Sequence, residues 1–104
     1  MTHAKVSLKP WQPVRVWRNR TKSEQRRTIT VYPCVETFPP GSEISLFEAP
    51  DEDGVAPSQG GHIAVGTRGD SVALVVQPGN AVFVHIDLAK SAATSVIADI
   101  TQEP

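Results

Sequence analysis

The stretch AVFVHIDL, residues 81–88, places Val82, Val84, Ile86 and Leu88 on one side of an extended chain and Ala81, Phe83, His85 and Asp87 on the other. Side chains of a strand alternate between faces, so an aliphatic row opposite a mixed one marks a strand with one buried face. Just before it, SVALVV (71–76) is apolar on both sides, as expected of an interior strand. The intervening QPGN fits a type II turn, in which proline sets φ at the second position and glycine accepts positive φ at the third. The three pieces predict an antiparallel hairpin.

The same period recurs outward along the chain, and no helical period extends over eleven residues. HIAVGT (62–67) reads as a short strand that turns through Gly69, and EISLFEA (43–49) as another. In TITVYPCV (28–35), Ile29, Val31 and Val35 share a face, and Pro33 removes a ladder donor, which predicts an edge or bulged strand. VRVWRN (14–19) is expected to pair with RTITVYP (27–33) across RTKSEQ, giving a basic hairpin. ATSVIADI (93–100) is expected to be the last strand, after a loop or single helical turn at AKSAA. Residues 49–61, rich in proline, glycine and acid, read as a long loop. About seven short strands separated by Pro and Gly turns predict an all-β fold, a single antiparallel β-sandwich, with a small β-barrel as the alternative. Residues 1–13 read as an extended N-terminal segment that adds little to the fold, and 14–104 as one β domain.

The 104-residue chain has a net charge of −1, distributed unevenly. Lys5, Lys9, Arg15, Arg18, Arg20, Lys22, Arg26 and Arg27 precede Ile29 with only Glu24 against them, a charge of +7, while the remainder has two bases and ten acids, −8. A basic end and an acidic body suit either an anionic partner or contact between neighbouring copies.

The residues of hydrolytic or metal chemistry are scattered. Cys34 follows Pro33 in an expected strand and reads as a small packed hydrophobe; the spacing of His3, His62 and His85 matches no compact metal motif. DEDG starts like a calcium loop at Asp51, but the fifth position is Val55 and the twelfth His62, neither an oxygen ligand. GGHIAVG lacks the lysine of a phosphate loop, and RGD (68–70) is explained by a turn. NRT at Asn19 meets the glycosylation rule. The chain is therefore expected to be non-enzymatic, with no cofactor and no metal. One cysteine, no leader-like apolar run and no membrane-length apolar stretch lead to the expectation of a soluble protein made in the cytoplasm without a signal peptide.

The leading expectation is a structural or assembly protein acting in several copies through protein–protein contacts, of which a virion component such as a capsid decoration or tail protein is one concrete form. Its contact residues are expected to be Trp11, Arg15, Trp17, Arg18, Arg20, Lys22, Arg26 and Arg27, meeting an acidic patch of Glu48, Asp51, Glu52 and Asp53 on another copy. The alternatives are a binding module that grips an anionic polymer such as nucleic acid through the basic hairpin, and a carbohydrate or ligand module using Trp11, Trp17 or Tyr32.

Overall fold

A computed structural model describes residues 2–51 and 61–104 of the chain. They form eight strands and no helix: β1 (Thr2–Leu8), β2 (Val14–Arg18), β3 (Gln25–Pro33), β4 (Glu43–Pro50), β5 (Ile63–Val65), β6 (Asp70–Val76), β7 (Asn80–Asp87) and β8 (Val96–Glu103). Two four-stranded antiparallel sheets, ordered β1-β8-β3-β6 and β2-β7-β4-β5, pack as a β-sandwich. The core lies between them, and Ile29, Val31, Leu46, Val76, Val82 and Val84 are fully enclosed there. Val82, Val84 and Ile86 form the inner face of β7, as the alternation predicts, but the opposite face is not left open: Ala81 and Phe83 are buried there with Phe47 and Ala49 of β4.

The turns are as expected, but the strands they join are not partners. Asn80 donates its N–H to Gln77 O at 3.1 Å and Gly79 has φ of 79°, the type II turn read from QPGN. Yet β6 pairs with β3 in one sheet and β7 with β2 and β4 in the other, so this turn crosses the sandwich. The basic hairpin is absent for the same reason: β2 pairs with β7, while β3 pairs with β6 and β8. β4 and β5 are the one pair of consecutive strands that share a ladder. Proline misled the reading of β3, because Pro33 is its last residue and the strand is interior. Conversely β6, apolar on both sides, lies at an edge. Cys34 and Val35 fall beyond β3 and are exposed, the latter by 75%.

The N-terminal segment belongs to the sandwich. β1 pairs with β8 from Thr2 through Leu8, and Leu8 is buried in the core while Val6 packs against it. Leu8→Ala is expected to lower stability by about 2–5 kcal/mol, and Val84→Asp by more than about 4 kcal/mol, because one opens a cavity and the other buries an unpaired charge. Chemical denaturation checks both; a Leu8→Ala chain as stable as wild type would return the segment to a dispensable role.

Candidate interaction surface

Three turns of the sandwich have proline at the second position. In 39–42, Ser42 donates to Pro39 O at 3.1 Å and Gly41 has φ of 83°; in 77–80 the corresponding glycine is Gly79. In 9–12, Gln12 donates to Lys9 O at 3.3 Å, Pro10 holds the second position, and the third, with φ of 65°, is Trp11. Positive φ strains a bulky L-residue by about 1–2 kcal/mol and leaves glycine unstrained. No packing offsets that cost, since Trp11 is 87% exposed. Trp11 lines a groove of about 540 Å³ whose apolar wall includes Pro10, Leu88, Ala89 and Ala93 and whose polar lining is His85, Asp87 and Thr94. The groove forms because the β2 ladder on β7 begins at Val84, whereas the β4 ladder continues to Asp87. His85, Ile86 and Asp87 thus have no β2 partner.

The basic residues are dispersed rather than gathered. The β2 ladder shifts register between Arg15 and Trp17, a bulge that admits Val16. Arg15 comes opposite Phe83 and Arg18 opposite Ala81, both on the outer face, while Trp17 comes opposite Val82 on the inner face. Regular alternation would have put Arg15 and Trp17 together and Arg18 across from them. Instead both arginines close on Asp51, Arg15 Nη1 at 3.0 Å from Oδ1 and Arg18 Nε against Oδ2. Trp17 packs against the core with the Arg27 guanidinium 4.6 Å above its ring. Arg20, Lys22 and Arg26 are exposed and form no ion pair with a described residue.

The acidic patch is similarly engaged at home. Glu48 Oε2 accepts from the Gln77 N–H at 2.9 Å and from Asn80 Nδ2 at 2.7 Å. Asp51 is held by Arg15 and Arg18, and Glu52 and Asp53 lie outside the described residues. Burial raises the Asp51 pKa, but the hydrogen bonds and charges of the two arginines outweigh it and hold the carboxyl below its ordinary value. Asn19 is 2% exposed and its amide donates two hydrogen bonds, so the glycosylation motif presents no free acceptor in the folded chain.

One cluster was not visible in the spacing of the sequence. The β4–β7 ladder sets Ser45 opposite His85 on the outer face, and His62, just before β5, joins them. Ser45 Oγ lies 2.6 Å from His62 Nδ1, and the His62 ring centroid lies 5.0 Å from that of Phe47 and 5.7 Å from that of His85. Glu43 and Asp87, opposite one another in the ladder, close one end of this cleft of about 550 Å³. Phe47 and Phe83 stack beneath the other end at 5.4 Å. Period-two alternation in 43–49 and 81–88 exposes the outward rows, but only the register brings Ser45, His62 and His85 together. Among the described residues, no group of three or more His, Cys, Asp and Glu is placed to hold a metal ion, and no helix is long and apolar enough to cross a membrane.

Comparison of the chain with protein-family models, curated proteins and solved structures finds no match. The site stands on its own geometry.

Two pH effects follow. Burial and the neighbouring His62 lower the His85 pKa, against the opposing influence of Asp87. The unfolded chain then binds the proton more readily, so this contribution to stability is present above about pH 6.5 and lost as pH falls below it. His85→Gln should flatten the change in melting temperature between neutral and mildly acidic buffer. For Asp51 the folded value is the lowered one, so its contribution is present above about pH 4 and lost as pH drops through the folded-state value. Asp51→Asn should destabilise the chain at neutral pH and shrink its loss of stability in acid; an unchanged acid limb would remove Asp51 from the account.

Proposed function

We propose that the protein is a non-enzymatic β-sandwich module that acts in several copies, joined by protein–protein contacts in which Trp11 inserts its indole into a neighbouring copy. The conformation of Trp11 carries this reading. Two of three equivalent turns have glycine where the backbone demands positive φ, and the third has the largest side chain available, strained and in solvent. A residue that costs the fold stability and contributes no packing within it supports a role outside it. Tryptophan is also the side chain most enriched among interface anchors, and the groove beside it supplies apolar surface to surround such an anchor. Lys9, the first residue of the turn, and Asp87, on the groove, supply opposite charges near Trp11.

This places the weight of the contact on Trp11 rather than on the basic cluster, because Arg15, Arg18, Trp17 and Arg27 are engaged in their own chain. A shell or tail component of a virion is one assembly that such a module would suit. Binding to an anionic polymer is the second reading, favoured by the exposure of Arg20, Lys22 and Arg26. It predicts affinity for an oligonucleotide that falls steeply with salt and disappears when those three residues are changed to Glu.

Trp11→Gly separates a functional tryptophan from a structural one by the sign of its effects. Relief of the backbone strain, less the entropy cost of glycine, should stabilise the chain by about 0.5–1 kcal/mol while association through this surface weakens by about tenfold or more. In a Trp17→Phe chain, where Trp11 is the sole indole, emission should shift to the blue as concentration rises. Emission that stays at the solvent-exposed wavelength at every concentration overturns the reading.

A further inference from the structure

The two sheets have four edges, and three are guarded. β2 is interrupted by its bulge and carries Arg15 and Arg18; β5 is three residues long; β1 carries Lys5. Bulges, short length and charge are the devices that keep sheet edges from pairing with other chains. β6 is neither bulged nor short, and its one charge, Asp70, stands at its first residue. It is seven residues long, its ladder with β3 runs without a register shift from Asp70 to Val76, and after Asp70 it contains neither charge nor proline. Its outer face shows Ala73, exposed, and Val75, 44% exposed; its inner-face Val72 and Leu74 are half-buried, whereas Ile29 and Val31 on the adjoining β3 are fully buried. An apolar pattern on both faces is usual in the interior of a sheet, and at an open edge it leaves apolar side chains in solvent.

We infer that β6 is an interface strand whose partner is the β6 of a second copy, paired antiparallel across a twofold axis to join two four-stranded sheets into one of eight strands. An isologous contact requires a self-complementary surface, and an antiparallel strand pair provides it. The register that pairs all seven residues puts Ala73 on the axis, Val72 opposite Leu74 and Ser71 opposite Val75. The small alanine side chains meet at the centre, Val72 and Leu74 each gain an apolar neighbour on the inner face, and Val76 comes opposite Asp70 at the ends of the joint. Arg26, opposite Val75 on β3, lies toward one end of the strand, so the twofold sends the two copies' arginines to opposite ends of the joint. Asp70 likewise stands at the ends, away from its counterpart. Such a pair forms about six to eight backbone hydrogen bonds between copies.

This contact does not involve Trp11, and it is tested in a Trp11→Gly chain so that neither contact can mask the other. Sedimentation equilibrium over a wide concentration range should give twice the 11.2 kDa of the chain. Ala73→Lys with Val75→Lys, both on the outer face, should return the mass to that of one chain, with a melting temperature equal to that of the parent at concentrations where the parent too is a single chain. In a Cys34→Ser background, mild oxidation should cross-link Ala73→Cys into a dimer and leave Val75→Cys uncoupled, since two Val75 positions are four residues apart along the strands, about 13 Å, beyond the ~7 Å reach of a disulfide. A single-chain mass at all concentrations, a dimer that survives the two lysines, or cross-linking of Val75→Cys as readily as Ala73→Cys overturns the inference. A single-chain mass here with emission still shifting in the Trp17→Phe chain, or the reverse, tells which of the two contacts has failed.

Discussion

The two sheets are registered against one another by a single buried amide. Asn19 directly follows β2, 2% exposed, and every polar group it has is bonded. Its Nδ2 donates to Ser23 O at 2.9 Å and to Val76 O at 2.8 Å, and its Oδ1 accepts from the N–H and hydroxyl of Thr21. Its backbone N–H donates to Asn80 O at 2.9 Å and its carbonyl accepts from Gly79 N–H at 3.2 Å. Six bonds on one residue tie the β2–β3 crossing to the β6–β7 crossing. A buried amide with an unmatched group costs about 1–3 kcal/mol, so the chain satisfies Asn19 only where both crossings are in place. The arrangement also explains why RTKSEQ does not close a hairpin: residues 19–23 fold around the amide and deliver β3 to the opposite sheet.

Placing β2 and β3 in different sheets determines the fate of the positive charge. The β2 bulge turns Arg15 and Arg18 to the same outer face, where one carboxylate serves both. Trp17, turned inward, becomes part of the lining of the core, and Arg27 covers it from the other sheet. Part of the charge excess at the start of the chain is therefore consumed in holding the sandwich together. The exposed remainder, Lys5, Lys9, Arg20, Lys22 and Arg26, is smaller than the sequence suggests and is spread over β1, the 9–12 turn, the segment after β2 and β3.

What the fold leaves over is more informative than the charge. Trp11 occupies a backbone position better suited to glycine, and among the described residues β6 has a regular edge whose one charge is at its first residue, where the other edges are interrupted, short or charged within their length. Both features run against the stability or solubility of an isolated chain, and both make sense when other copies are present. Trp11 lies on the turn that joins the two sheets, and β6 at the edge of one of them.

Local chemistry in the sequence determined the elements. Alternation in residues 81–88 and 43–49 identified strands and their buried rows, and Pro-Gly pairs located turns, because both depend on the steric preferences of a few adjacent residues. The likeness between the turns at 9–12 and 77–80 was not legible, because it rests on the positive φ of Trp11, which matches that of Gly79 only in the folded chain. Sheet membership was decided only by the tertiary structure. A type II turn is equally compatible with a hairpin and with a step between layers, and the choice rests on contacts such as Asn19 with Val76, 57 residues away. The bulge at Val16 inverted the expected faces of β2, since one inserted residue shifts the phase of every side chain beyond it. The Ser45, His62 and His85 cluster arose from register across three strands, which no single stretch of sequence records. The apolar character of β6 was plain in SVALVV from the start; that it lies at an edge, with one side still unpaired, is a property of the folded chain alone.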